Sequence, residues 1–162
     1  MAGMRIEQRL AELGLELPAP MESPAGLVLP FPWVRLWEGR AYVSGHGPLL
    51  PDGGLWPARG KVGADLGEEE AYAAAGATAL AILASLKRAL GDLDRVTAWL
   101  RVFGMVNAAP GFNRTPAVIN GFSDVIAALW GPEAGAHARS AIGVAELPLN
   151  LPVEIEAEVA IA

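Results

Sequence analysis

From Val153 to Ile161 residue type alternates without a break. Val153, Ile155, Ala157, Val159 and Ile161 fall on one side, and Glu154, Glu156 and Glu158 on the other. A period of two belongs to a strand, because only there do successive side chains point to opposite faces. The same rhythm marks residues 138–144, where Ser140, Ile142 and Val144 share one face and Arg139, Ala141 and Gly143 the other. If Ile142 and Ile155 both turn into the core, Arg139 and Glu154 both project from the opposite wall, among small neighbours. Strands patterned in this way need a second layer to cover the apolar face.

Two segments have the spacing to supply it. Residues 65–90 carry Tyr72, Ala75, Ala79, Ile82, Leu83, Leu86 and Leu90 as one stripe. Asp65 and Glu68 stand in capping-box relation, Lys87 and Arg88 sit near the negative end, and Gly91 stops the helix. Small residues on that stripe imply close packing. A second helix is expected from Thr115-Pro116, an N-cap and N1 proline, through Val118, Phe122, Val125, Ile126 and Leu129 to Gly131-Pro132.

Further strands are expected at 31–37 and 40–44, turning at Glu38-Gly39, and at 95–107. In the last of these, strict alternation sets Val96, Ala98, Leu100, Val102 and Val106 on one face and Thr97, Trp99, Arg101, Phe103 and Met105 on the other. The order is β-β-α-β-α-β-β, an α+β fold whose two helices cover one face of the sheet. Trp99, Phe103 and Met105 then mark the uncovered face as an interface between copies. Upstream, Ile6, Leu10 and Leu13 predict a short amphipathic helix that serves as surface packing, a lid or an oligomer clasp. Residues 18–30, rich in proline, form an irregular connection. The division expected is an N-terminal helix and connection at 1–30 and one domain at 31–162.

At 162 residues with 52% hydrophobic content the chain can bury a full core. A formal charge of −6 argues against a nucleic-acid backbone as ligand. With no cysteine, two histidines far apart and no charged-then-apolar leader, neither a disulfide nor a transition-metal site is expected, and the cytoplasm is the expected compartment. No wholly apolar run reaches the roughly 20 residues of a membrane span, so no membrane partner is expected.

On pattern alone, Arg139 and the three glutamates describe either a ligand site or a solvated surface whose ion pair is worth about 0–1 kcal/mol. The stretches His137-Ala138-Arg139-Ser140-Ala141, Leu147-Pro148, Val153-Glu154-Ile155-Glu156-Ala157 and, upstream, Tyr42-Val43-Ser44-Gly45-His46-Gly47-Pro48 resemble the reactive-intermediate deaminase family, Rid or YjgF-like, in its longer branch. The resemblance covers about residues 28 to 162. It implies a chorismate-mutase-like fold assembled as a homotrimer with sites in the clefts between subunits. It also implies hydrolysis of small enamines or imines derived from amino acids to oxo acids and ammonia, with no cofactor.

Carried over by motif, Arg139 grips a substrate carboxylate, Glu154 orients or activates water, and Ser44, Gly45 and Asn120 line the cleft. The family's site tyrosine falls on Phe31 or, with a small shift, on Trp33, and neither has a hydroxyl. The position two after Arg139, often cysteine in the family, is Ala141. Three functions are consistent with this: an enamine/imine deaminase, a binding module for small keto acids, and an endoribonuclease, a label the family also carries and the acidic charge disfavours. His46 stands where the family often has glutamine, as a ligand contact or a structural residue.

Overall fold

The computed structural model describes residues 5–23 and 28–162. Its elements are α1 (Arg5–Glu12), β1 (Val34–Trp37), β2 (Arg40–His46), α2 (Glu68–Leu90), β3 (Val96–Asn107), α3 (Thr115–Ala134), β4 (Ala138–Val144) and β5 (Val153–Ile161). The five strands form one mixed sheet in the order β1-β2-β5-β3-β4, in which only β3 and β4 run parallel. Helices α2 and α3 pack on each other and against one face of this sheet. The expected order of strands and helices is met, and the fold is α+β.

The core lies between the helices and that face. Val153, Ile155, Ala157 and Val159 of β5 are buried there, with Val102 and Val106 of β3, Ala41 and Val43 of β2, Ile82, Leu83 and Leu86 of α2, and Val118, Ile119, Phe122 and Ile126 of α3. The helices approach closely because Gly121 offers no side chain: a Cβ there would collide with the carbonyl of Tyr72. By length and composition α2 could span a membrane, yet 61% of its most apolar window is buried against the sheet and α3. Tyr72, placed on the buried stripe by its spacing, is 40% exposed and donates its hydroxyl hydrogen bond to Asp124.

Three local readings are corrected. First, α2 starts two residues later than its cap signal suggests. Gly67 is the N-cap and donates its N–H to Glu70, while the Asp65 carboxylate accepts from the Lys61 N–H. Second, Thr115 is the first residue of α3 rather than its cap. Its hydroxyl donates to the Ala141 carbonyl and so ties the helix to β4.

Third, Trp99 is not on the uncovered face. The register of β3 against β5 slips between Val96 and Ala98 and again between Trp99 and Arg101, and each slip reverses the alternation. Trp99 therefore turns to the helices, 2% exposed, edge-on to Phe122 and Trp130 at 5.8 and 5.4 Å. Phe103 and Met105 keep their expected face, paired with Glu156 and Glu154.

The N-terminal segment is fastened to the domain. Ile6 and Leu10 join the main core, whereas Leu13 is half exposed. The free N–H groups of Arg5 and Ile6 donate to the Asp94 carboxylate at 2.7 and 2.9 Å, an anion placed at the positive end of α1. Glu7 pairs with Lys87. Residues 24–27, within the expected irregular connection, lie outside the described residues.

Candidate active site

The residues singled out by sequence fall into two groups. The first surrounds a bulge in β2. Between the pairs Val43/Ala157 and His46/Ile155, β2 advances three residues while β5 advances two, which leaves Ser44 and Gly45 as the irregular pair. Ser44 donates its hydroxyl to the Pro32 carbonyl at 2.8 Å and its N–H to the Trp33 carbonyl at 2.9 Å, holding the Phe31–Trp33 segment beside the bulge. Phe31 and Trp33 meet edge to face at 6.1 Å.

Gly45 is required by close approach: a Cβ there would stand 2.9 Å from Cδ and Oε2 of Glu154. The Glu154 carboxyl consequently lies against bare backbone. Burial raises its pKa above the usual glutamate value, and the neighbouring Glu156 adds to the rise. Among the described residues no cation pairs with it. Glu158, further along the same face, is neutralised by Arg40 at 2.6 Å.

His46, at the end of the bulge, turns inward and is buried. Its Nδ1 lies 2.6 Å from the Ser44 carbonyl and must donate there, so Nε2 accepts the Ser85 hydroxyl at 2.8 Å. Desolvation holds this imidazole neutral, with its pKa lowered to about 4. The residue supports the bulge from beneath.

The second group sits where β4 meets α3. Arg139 Nη1 donates to Asn120 Oδ1 at 2.8 Å and Ser123 Oγ at 3.1 Å, and Nη2 reaches the Pro116 carbonyl at 3.4 Å. Ser123 is itself held by His137 Nε2 at 2.9 Å. All of these acceptors are neutral, and no carboxylate pairs with Arg139 among the described residues. The guanidinium is thus oriented while its charge is left for another anion. Ser123 was missed by motif, although it stands one helical turn after Asn120 and is polar on a largely apolar helix.

The two groups do not share a wall. Parallel pairing sets Arg139 beside Val102 and Ala141 beside Gly104, on the helix side. Ile142 pairs with Met105 and is 41% exposed on the face that carries Glu154. The expectation that Ile142 points inward fails for a steric reason. On the helix side a Cβ on Gly143 would stand 3.1 Å from Ala108, just after β3, and 3.7 Å from Thr115 at the start of α3. At this point of the strand the space takes small residues, so Ala141 and Gly143 turn in and the isoleucine turns out. Within one chain Arg139 and Glu154 occupy opposite faces of the sheet.

A model of the family described as "YjgF/chorismate_mutase-like, putative endoribonuclease" matches residues 7–156. The chain belongs to this family. Protein TCP17 of Trypanosoma cruzi is 38% identical over 156 residues, covering 96% of this chain and 94% of that protein. The crystal structure of Atu1372 from Agrobacterium tumefaciens, described as of unknown function, is 40% identical with a TM-score of 0.85 over 98% of this chain and 93% of that one. RidA from Psychrobacter sp. PAMC 21119 shares the fold alone, at 22% identity and a TM-score of 0.57 over 90% of this chain and 99% of that one. As a YjgF-like chain it presents both halves of the expected site, but on opposite sides of one sheet.

Proposed function

We propose that this protein hydrolyses small enamines or imines derived from amino acids to oxo acids and ammonia, in clefts between the copies of a homotrimer. The observation that carries the reading is a pair of charges unbalanced among the described residues: an arginine oriented by three neutral oxygens with no acid, and a half-buried glutamate with no cation. Lying on opposite faces, they can act on one ligand only if Arg139 and Asn120 come from one copy and Glu154, Ser44, Gly45, Phe31 and Trp33 from its neighbour. The uncovered face, with Trp37 at 56%, Tyr42 at 41% and Ile142 at 41% exposure beside Phe103 and Met105, supports self-association. The number three follows the family resemblance.

In this reading Arg139 binds the substrate carboxylate through two parallel hydrogen bonds. The raised pKa of Glu154 suits a group that must both give and take a proton. Its protonated form delivers a proton to the enamine carbon, producing the electrophilic imine. The carboxylate so formed accepts a proton from water as the water oxygen bonds to the imine carbon. The proton then passes to nitrogen, and the C–N bond of the carbinolamine breaks as its hydroxyl proton returns to the Glu154 carboxylate, releasing ammonia and the oxo acid. Phe31, Trp33 and Ala141 bring no hydroxyl or thiol to the pocket. That absence favours binding of keto acids without turnover as the second reading.

Complementation tests the composite site. Arg139→Ala and Glu154→Gln should each be inactive when oxo acid release is followed from 2-aminoacrylate generated enzymatically. Co-refolded at equal amounts, they should regain about one quarter of wild-type activity, the share of interfaces that draw both intact residues by random mixing. Wild-type turnover that is lost in each variant and never restored by mixing would show that the site lies within one chain. No turnover in wild type, with oxo acid binding that depends on Arg139, would leave the binding module.

A further inference from the structure

A second pocket, which shares Trp33 with the cleft residues but neither Arg139 nor Glu154, lies between the chain at 18–21, the end of β2 and α2. It has a volume of about 100 Å³ and is walled by Pro18, Pro20, Leu49, Leu55, Ala84 and Leu151. Its roof is fixed rather than draped: the Ala19 N–H donates to the Pro51 carbonyl at 2.9 Å, and Gly53, at φ +88°, sits so near Pro20 that a Cβ would strike the Pro20 carbonyl. Three polar groups reach the same space, from His46, Ser85 and Arg88. Arg88 Nη2 donates to Ser85 Oγ at 3.0 Å, and Ser85 in turn donates to His46. Among the described residues Arg88 has no acidic partner, and its remaining N–H groups are uncommitted.

We propose that this pocket binds a small aliphatic monocarboxylate, its chain among the prolines and leucines and its carboxylate on Arg88. A dianion such as phosphate fits less well, because among the described residues Arg88 is the single cation lining the pocket and the Ser85 proton is already given to His46. Neutral alcohols and amides would fill the apolar part and leave Arg88 unmatched. The assignment does not rest on the deaminase reading, since the pocket shares neither Arg139 nor Glu154. It does touch the bulge, because Trp33 packs on His46 at 4.8 Å and His46 holds the Ser44 carbonyl.

The chain has two histidines, so imidazole resonances report the pocket directly once His137→Asn has assigned them. Titration with isovalerate should move the His46 signals saturably with a dissociation constant on the order of 1 mM, leaving those of His137 in place. Isovaleramide should not saturate at about twenty times that concentration, and Arg88→Met should weaken isovalerate roughly tenfold or more. Ala84→Leu, which fills the pocket without touching a charge, should abolish the shift, and Arg139→Ala should bind as wild type does. No saturable shift in wild type, equal shifts with the amide, or unchanged binding in folded Arg88→Met or Ala84→Leu protein would overturn the assignment. Loss of binding in Arg139→Ala would instead place the ligand in the cleft.

Discussion

Asn120→Asp discriminates between an arginine kept free for a ligand and one that merely packs at the helix edge. The substitution is isosteric and leaves the 2.8 Å contact with Arg139 Nη1 intact, but it converts a neutral acceptor into a carboxylate. If Arg139 is the receptor for a substrate carboxylate, the introduced carboxylate becomes an internal competitor. A surface ion pair is worth up to about 1 kcal/mol, and a hydrogen bond to a charged group about 1.5–3 kcal/mol. Arg139 is half-buried, which sets the expected competition at roughly 1–2 kcal/mol, or about 5- to 30-fold in affinity. Calorimetry with 2-oxobutanoate should show that loss, while thermal unfolding shows a protein at least as stable as wild type because a charge pair has been gained. Asn120→Ala, which removes orientation and adds no charge, should cost less. Binding by Asn120→Asp within about twofold of wild type would refute the claim that the charge of Arg139 is held in reserve.

Three other outcomes follow from the packing and the titrating groups. Trp99→Ala should cost about 3–5 kcal/mol in urea unfolding, as for a large aromatic removed from a core; a loss under about 1 kcal/mol would return Trp99 to the exposed face. Because the pKa of His46 is lowered from 6.5 to about 4, the unfolded chain takes up the proton first as pH falls. Wild type should thus lose stability, on the order of 3 kcal/mol, between those two values, and His46→Gln should flatten that window in denaturant titrations. Glu154 has the opposite sign: its raised pKa means the folded state holds the proton more tightly, so its contribution is present below the unfolded glutamate value and lost as pH rises. Glu154→Gln should accordingly gain melting temperature relative to wild type at pH 7 and gain least near pH 4; an equal or smaller gain at pH 7 would contradict the assigned burial.

The elements were legible in the sequence because each carried its own punctuation. Gly91 and Gly131-Pro132 mark the ends or the kink of α2 and α3, and β5 alternates without interruption. Faces were harder to read wherever alternation was reset or inverted by something the pattern does not contain. The register slip between Trp99 and Arg101 carries Trp99 to the opposite side from Phe103 although both occupy odd positions. At β4 the usual rule, bulky apolar residues inward, is reversed by the tight space beside Ala108 and Thr115, and Ile142 is displaced by Ala141 and Gly143. That reversal is also what separates Arg139 from Glu154.

The separation bears on how such a site can be built. A guanidinium and a glutamate left facing each other on one wall would pair, as Arg40 and Glu158 do at 2.6 Å, and neither would keep its charge for a ligand. On opposite faces of the sheet they cannot neutralise one another within a chain. Arg139 is then held by neutral oxygens, and Glu154 rests on the bare backbone of Gly45 with its pKa raised by burial. In the proposed assembly the two meet only across an interface, where the substrate lies between them. The motif spelling could name Arg139, Asn120, Ser44 and Glu154, but the distribution between two copies proposed for them depends on which way β4 faces. That is decided by the size of side chain tolerated beside Ala108 and Thr115.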